Sequence, residues 1–155
     1  MNDQTIDRYE RGGQILHDAI AGLSREQLLA HPVPGTWSIQ EIVIHLMDAD
    51  LIAIDRMKRM IAMENPLLVG YDEAAFSKKL AYDQQSPADA VTILDLGFRN
   101  FAKVLRTLPP DAWTRQGTHN ERGPVTLGDY LQSMIKHMDH HLKFVKEKRA
   151  MVEKK

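Results

Sequence analysis

The sequence predicts an all-α fold, a four-helix bundle with a long crossover connection between helices 2 and 3. Three observations carry that expectation. Apolar residues recur at helical spacing in four separate segments, no segment calls for a strand, and the stretch between the second and third segments is too long for a simple hairpin between neighbouring helices. A connection of that length reads as a crossover.

Ile6, Tyr9, Gly13, Leu16, Ile20 and Leu23 share one face of a first helix, expected from about Asp3 to Leu23. Gly22 and Ser24 stand where it should end, and Ser24-Arg25-Glu26-Gln27 has the form of a capping box opening a short turn. His31-Pro32-Val33-Pro34-Gly35 follows as a loop, with His31 at the surface. The second helix starts in Thr36-Trp37-Ser38-Ile39-Gln40-Glu41, where Ser38 is the N-cap and Glu41 completes the box. It runs to about Met63, and Asn65-Pro66 stops it. From there to Ser86 the periodicity is weak, with one short helix expected from Asp72 to Leu80.

Ser86-Pro87-Ala88-Asp89 opens the third helix, with Pro87 at the first helical position and an apolar stripe that includes Val91, Leu94, Phe98, Phe101 and Leu105. Pro109-Pro110 ends it. Asp111 to Pro124 reads as a polar loop containing Trp113, His119 and Gly123. Thr126 then caps a fourth helix carrying Leu127, Leu131, Met134, Ile135, Met138, Leu142 and Val145. Its methionines suit gap-filling in a core better than a cofactor box.

A chain of 155 residues with 43% hydrophobic residues can form one domain, residues 1–155, with a sizeable core. The formal net charge is −1 and the basic residues are dispersed, apart from a weakly basic stretch from Lys143 to Lys155, which argues against a nucleic-acid partner. With no cysteine, histidine and carboxylate are the only strong metal ligands available. Met1-Asn2-Asp3-Gln4 does not open a basic-then-apolar leader, and no stretch approaches the length of an apolar membrane span. The expectation is a soluble cytoplasmic protein with no membrane partner.

Histidine placement is the chemical signal. His137 and His141 are one helical turn apart on one face of the fourth helix, and His45 interrupts the second. At about 100° per residue, with Leu131 as the centre of the fourth helix's stripe, His141 falls about 80° and His137 about 120° to the same side, while His140 lies nearly opposite. His45 sits about 60° from the core centre at Ile42, with Asp48 and Ile52 on the same flank. These flanks can face each other across a groove. His17 and His31 have no evident partner.

Taken together, Thr36-Trp37-Ser38-Ile39-Gln40-Glu41-Ile42, His45-Leu46, His119-Asn120-Glu121-Arg122-Gly123-Pro124-Val125-Thr126-Leu127 and the final His137 and His141 resemble the DinB-like, or damage-inducible-B, superfamily. The resemblance covers nearly the whole chain. It implies a single DinB-like four-helix-bundle domain and a divalent metal held by one histidine of helix two and two of helix four, here His45, His137 and His141. Members include thiol-dependent transferases and proteins assigned as metal-dependent hydrolases.

Three neutral imidazoles leave a divalent ion with open coordination positions, as in catalytic zinc sites. Zinc and nickel lead the expected metals, with iron and manganese also compatible, because histidine ligands select weakly. Asp48, one turn from His45, is the candidate catalytic residue, as a base or as a partner of a ligand. His119 and Tyr130 are placed to line the mouth of the groove. The functional expectation is a metal-dependent hydrolase or a transferase using a low-molecular-weight thiol, acting on a small-molecule substrate. The alternative is a non-catalytic metal-binding, sensing or structural protein. Apolar helix flanks make a homodimer the expected assembly.

Overall fold

Two glycines set how closely the first helical segment approaches the third. In the computed structural model, which describes residues 1–154, α1 (Asp3–Glu10) passes through Arg11 into α2 (Gly12–Ile20), so the expected single first helix is broken at Arg11 and ends before Leu23. Gly12 and Gly13 press on α6 (Pro87–Arg106): a Cβ on Gly13 would stand 2.5 Å from the Cα of Asp95, and one on Gly12 2.7 Å from the Phe98 ring. Only a residue without a side chain fits there.

The remaining helices begin where their caps predict. Ser24 closes a full capping box on α3 (Arg25–Leu29), and Ser38 closes another on α4 (Ile39–Ala62), with Ser38 N–H donating to Glu41 Oε2 at 2.7 Å and Glu41 N–H to Ser38 Oγ at 3.1 Å. Asp72 caps α5 (Glu73–Lys79), Ser86 caps α6, and Thr126 caps α7 (Leu127–Val152). His31 is exposed, with Nε2 2.9 Å from Glu41 Oε2.

Gln40 Nε2 donates to the carbonyls of Tyr82 and Gln85 at 3.0 and 2.9 Å, so α4 and α6 start at the same end of the bundle. Further along, Gly97 lies against Ile54, which keeps the two helices side by side and parallel. Parallel neighbours require a crossover, and residues 63–86 provide it. The α1–α2 segment runs with α7, since Arg8 pairs with Asp139 and Arg149 Nη1 donates to Ala19 O at 2.9 Å; it runs against α6, where Arg106 pairs with Asp7 and Glu10. The four long segments therefore run up, down, down and up.

The expectation that no strand is needed does not hold. β1 (Leu67–Leu68), β2 (Gln116–His119) and β3 (Gly123–Thr126) form a small sheet in that order, β1 parallel to β2 and β2 antiparallel to β3. The polar loop expected from Asp111 to Pro124 is a 3-10 turn over Pro110–Thr114, which carries Ala112 and Trp113 into the core, followed by this hairpin. Each strand is too short to show a period, and Gly117 and Pro124 are poor strand formers. Packing decides instead: a Cβ on Gly117 would meet Leu68 at 3.0 Å and Met60 at 3.1 Å.

Helix α4 is the centre of the molecule. Ile42 through Met47 are all buried, because α6, α7, α3 and the crossover surround this stretch. His45 is therefore fully enclosed, at 0% exposure, rather than on an open flank.

Replacing Gly13 with alanine should lower stability by about 1–3 kcal/mol, the usual cost of overpacking against backbone. Gly97→Ala meets only the mobile end of Ile54 at 3.3 Å and should cost less. Urea unfolding of both variants checks the order.

Candidate metal centre

The antiparallel pairing of α4 with α7 brings His45, His137 and His141 together. One ring nitrogen from each lies within 4.8 Å of the others, and the Nε2 atoms of His45 and His137 are 3.1 Å apart. Ring centroids are separated by 4.6 to 5.1 Å across the three pairs. Two imidazole nitrogens bound tetrahedrally at the usual length of about 2.0–2.1 Å stand roughly 3.3 Å apart, so this set closes on an ion with about an ångström of side-chain movement. His140, between the two ligand candidates of α7, is exposed.

All three Nδ1 atoms are buried with no hydrogen-bond partner among the described residues. A buried orphan costs about 1–3 kcal/mol, and three in one cluster point to a function outside ordinary packing. Burial pushes the His45 imidazole down to about 3, with His141 and His137 adding to the effect, and pushes His141 down to about 4. His137 is lowered too, chiefly by burial. The rings are neutral at physiological pH, the state in which imidazole ligates a metal. The residues present thus suit a divalent ion.

Trp37 covers one side of the cluster, with its ring centroid 4.8 Å from that of His45 and stacked at 6.3 Å on that of His141. Next to His141 lies a cavity of about 330 Å³ with apolar walls, among them Val33, Ile42, Phe144 and Met151. Next to His137 lies a polar cavity of about 160 Å³, where Arg56, Tyr71, His119, Arg122 and Tyr130 meet. The three histidines stand between these two spaces.

Asp48 accepts a hydrogen bond from Tyr82 Oη at 2.6 Å and does not bond to His45, whose Nδ1 is free. His119 and Tyr130, expected at the mouth, line the polar cavity with 5% exposure each. Arg56 and Tyr71 were not foreseen. Arg56 lies three turns beyond His45 at nearly the same helical phase, so a charged residue on a buried face was the available signal. Tyr71 carried no such signal, because it sits in the irregular crossover.

A family model described as the DinB superfamily matches residues 8–145. The chain belongs to the DinB superfamily. Among its relatives, a curated protein of Oceanobacillus iheyensis, provisionally named a metal-dependent hydrolase, is 27% identical over 141 residues, covering 90% of this chain and 81% of its own. The solved structure of YfiT from Bacillus subtilis, described as a probable metal-dependent hydrolase with an unusual four-helix bundle topology, is similar at a TM-score of 0.89. It is 25% identical, and the match spans 94% of this chain and 84% of that one. A mycothiol-dependent maleylpyruvate isomerase shares the fold at a TM-score of 0.69 and 13% identity, over 90% of this chain and 58% of its own. Among the described residues of this DinB-superfamily chain, no helix is long and apolar enough to cross a membrane.

The depressed histidines give the metal-free protein a defined pH response. Unfolded imidazoles protonate near 6.5, whereas folded His45 and His141 resist protonation until about 3 and 4. Between these limits the unfolded chain binds more protons, so stability is full above pH 6.5 and falls as pH drops toward 4. Thermal melts of the metal-free protein across pH 4–8 should show this decline, and His45→Gln should make it shallower.

Proposed function

We propose that this chain is a metal-dependent hydrolase of a small-molecule substrate, with His45, His137 and His141 as the ligands of a divalent ion, zinc or nickel ahead of iron or manganese. The observation that carries the reading is the convergence of three neutral imidazoles, His45 buried and His137 and His141 half-buried, whose buried Nδ1 atoms lack partners among the described residues. The hydrolase naming of its relatives supports it. A divalent ion at such a site supplies a Lewis acid that makes water or a thiol nucleophilic near neutral pH. The chain's own residues do the rest. Trp37 shields His45 and His141 from bulk solvent, Tyr82 fixes the Asp48 carboxylate, and Asp48 serves as the base that takes a proton from the nucleophile.

A second reading, transfer to a low-molecular-weight thiol, is favoured by the two-cavity layout. An apolar space beside His141 and a polar one beside His137 give two reactants separate places. The proposal places the protein in the cytoplasm. Exposed Leu51 on α4 and Ile93 and Leu96 on the adjacent α6 support pairing of two copies into a homodimer.

Metal analysis of protein purified without chelator or a nickel column tests the site. His45→Ala, His137→Ala and His141→Ala should each lose the metal, while His140→Ala should retain it. Chelation should lower the melting temperature, since an ion at a hundred times its dissociation constant stabilises the fold by about 2.7 kcal/mol. Equal metal loss in His140→Ala would overturn the ligand assignment.

Catalysis is tested by screening the metal-loaded protein against esters, amides and thiol acceptors. Asp48→Asn should cut turnover by about a hundredfold, the lower range for removing a general base, with metal content unchanged. A non-catalytic metal-binding role predicts no turnover in the wild type.

A further inference from the structure

The polar cavity beside His137 gathers Arg56, Tyr71, His119, Arg122 and Tyr130, and two of these, His119 and Tyr130, have their acceptor side already occupied. Arg56, 9% exposed, donates through Nη1 to Tyr130 Oη at 2.9 Å and through Nη2 to the Val69 carbonyl. With its oxygen engaged by Arg56, the Tyr130 hydroxyl has its own proton left to donate. His119 repeats the pattern. The Glu121 backbone N–H donates to its Nδ1 at 3.2 Å, which places the proton of the neutral ring on Nε2. The Tyr71 hydroxyl is buried with no partner among the described residues. Arg122 completes the lining from the exposed β2–β3 turn.

A buried donor left unpaired is costly, so the Tyr71 hydroxyl, beside the remaining protons of His119 and Tyr130, calls for an acceptor. Glu73 and Glu121, which also line the cavity, are exposed. Their two charges offset those of Arg56 and Arg122, so the cavity has no excess positive charge with which to hold a phosphate dianion, and recognition of a small anion rests on its hydrogen-bond donors. Its volume of about 160 Å³ suits a carboxylate with one or two adjoining carbons.

We propose that this cavity is a subsite for a carboxylate of the substrate, held by Tyr71, His119, Arg122 and Tyr130, with the rest of the molecule extending toward His137. The inference rests on the reading of His137 as part of a reaction centre, and it narrows the substrate class to small carboxylic acids. Arg56 acts as a positioning residue. It holds the Tyr130 hydroxyl in place and takes no part in the contact itself.

The test is a nuclear magnetic resonance titration of metal-free protein with propionate, with propionamide as its uncharged isostere and methyl phosphate as the competing anion. Propionate should shift the backbone amide signals of Gly70 and Glu121 saturably, and propionamide should not. Tyr71→Phe and Arg122→Ala, which alter a hydroxyl and an exposed side chain, should each bind propionate about tenfold more weakly with unchanged melting temperature. Equal binding of propionamide, tighter binding of methyl phosphate, or wild-type affinity in both variants would overturn the subsite. Zinc uptake by the same samples is measured separately. Propionate binding without zinc uptake upholds the subsite and sinks the metal reading, and zinc uptake without propionate binding does the reverse.

Discussion

The contact between α4 and α7 is the constraint on which the molecule depends. Most of the α4 surface is buried, so its polar residues must be answered by a neighbour, and α7 answers two of them in sequence. His45 meets His137 and His141, and farther along Arg56 meets Tyr130. Both pairs fall on the same stripe because residues separated by about three turns on α4 and about two turns on α7 return to nearly the same phase. The seam is therefore polar in the middle of an apolar bundle. Such a seam specifies register: sliding α7 by one turn would separate both pairs at once and leave buried polar groups unanswered.

Much of this was legible in the residues. Ser38 with Glu41, Ser86 with Pro87, and Thr126 announce helix starts through local chemistry that needs no tertiary partner. The three histidines were legible as a set, since spacing on one helix and phase on both put them on flanks able to face each other. Their depth was not. Phase places a side chain around a helix axis, but how many neighbours wrap that axis decides exposure, and α4 is wrapped on nearly every side.

The small sheet and the cavity it walls were hidden for one shared reason. β1 is two residues long and β2 contains Gly117, so neither carries a pattern, and their pairing depends on segments far apart in the chain. The polar cavity inherits that obscurity. Arg56 reaches the Val69 carbonyl just past β1, and the Gly70 N–H donates to Asn120 Oδ1 at 2.7 Å across the β2–β3 turn. The wall that holds Tyr71 and His119 in place exists only once these distant pieces meet.

The parallel ladder between β1 and β2 has a bearing on how the protein comes apart and goes together. Leu67–Leu68 reach Thr118–His119 only across α5, α6 and the turns between them, so this two-residue ladder closes a long loop. Loop closure of that span is entropically expensive and is repaid by few backbone bonds, which makes the ladder one of the last structures to form and one of the first to open. The helical seam that gathers the histidines does not depend on it. Local opening would thus expose the polar cavity while the three imidazoles stay assembled, giving small molecules a route inward that leaves the bundle core intact.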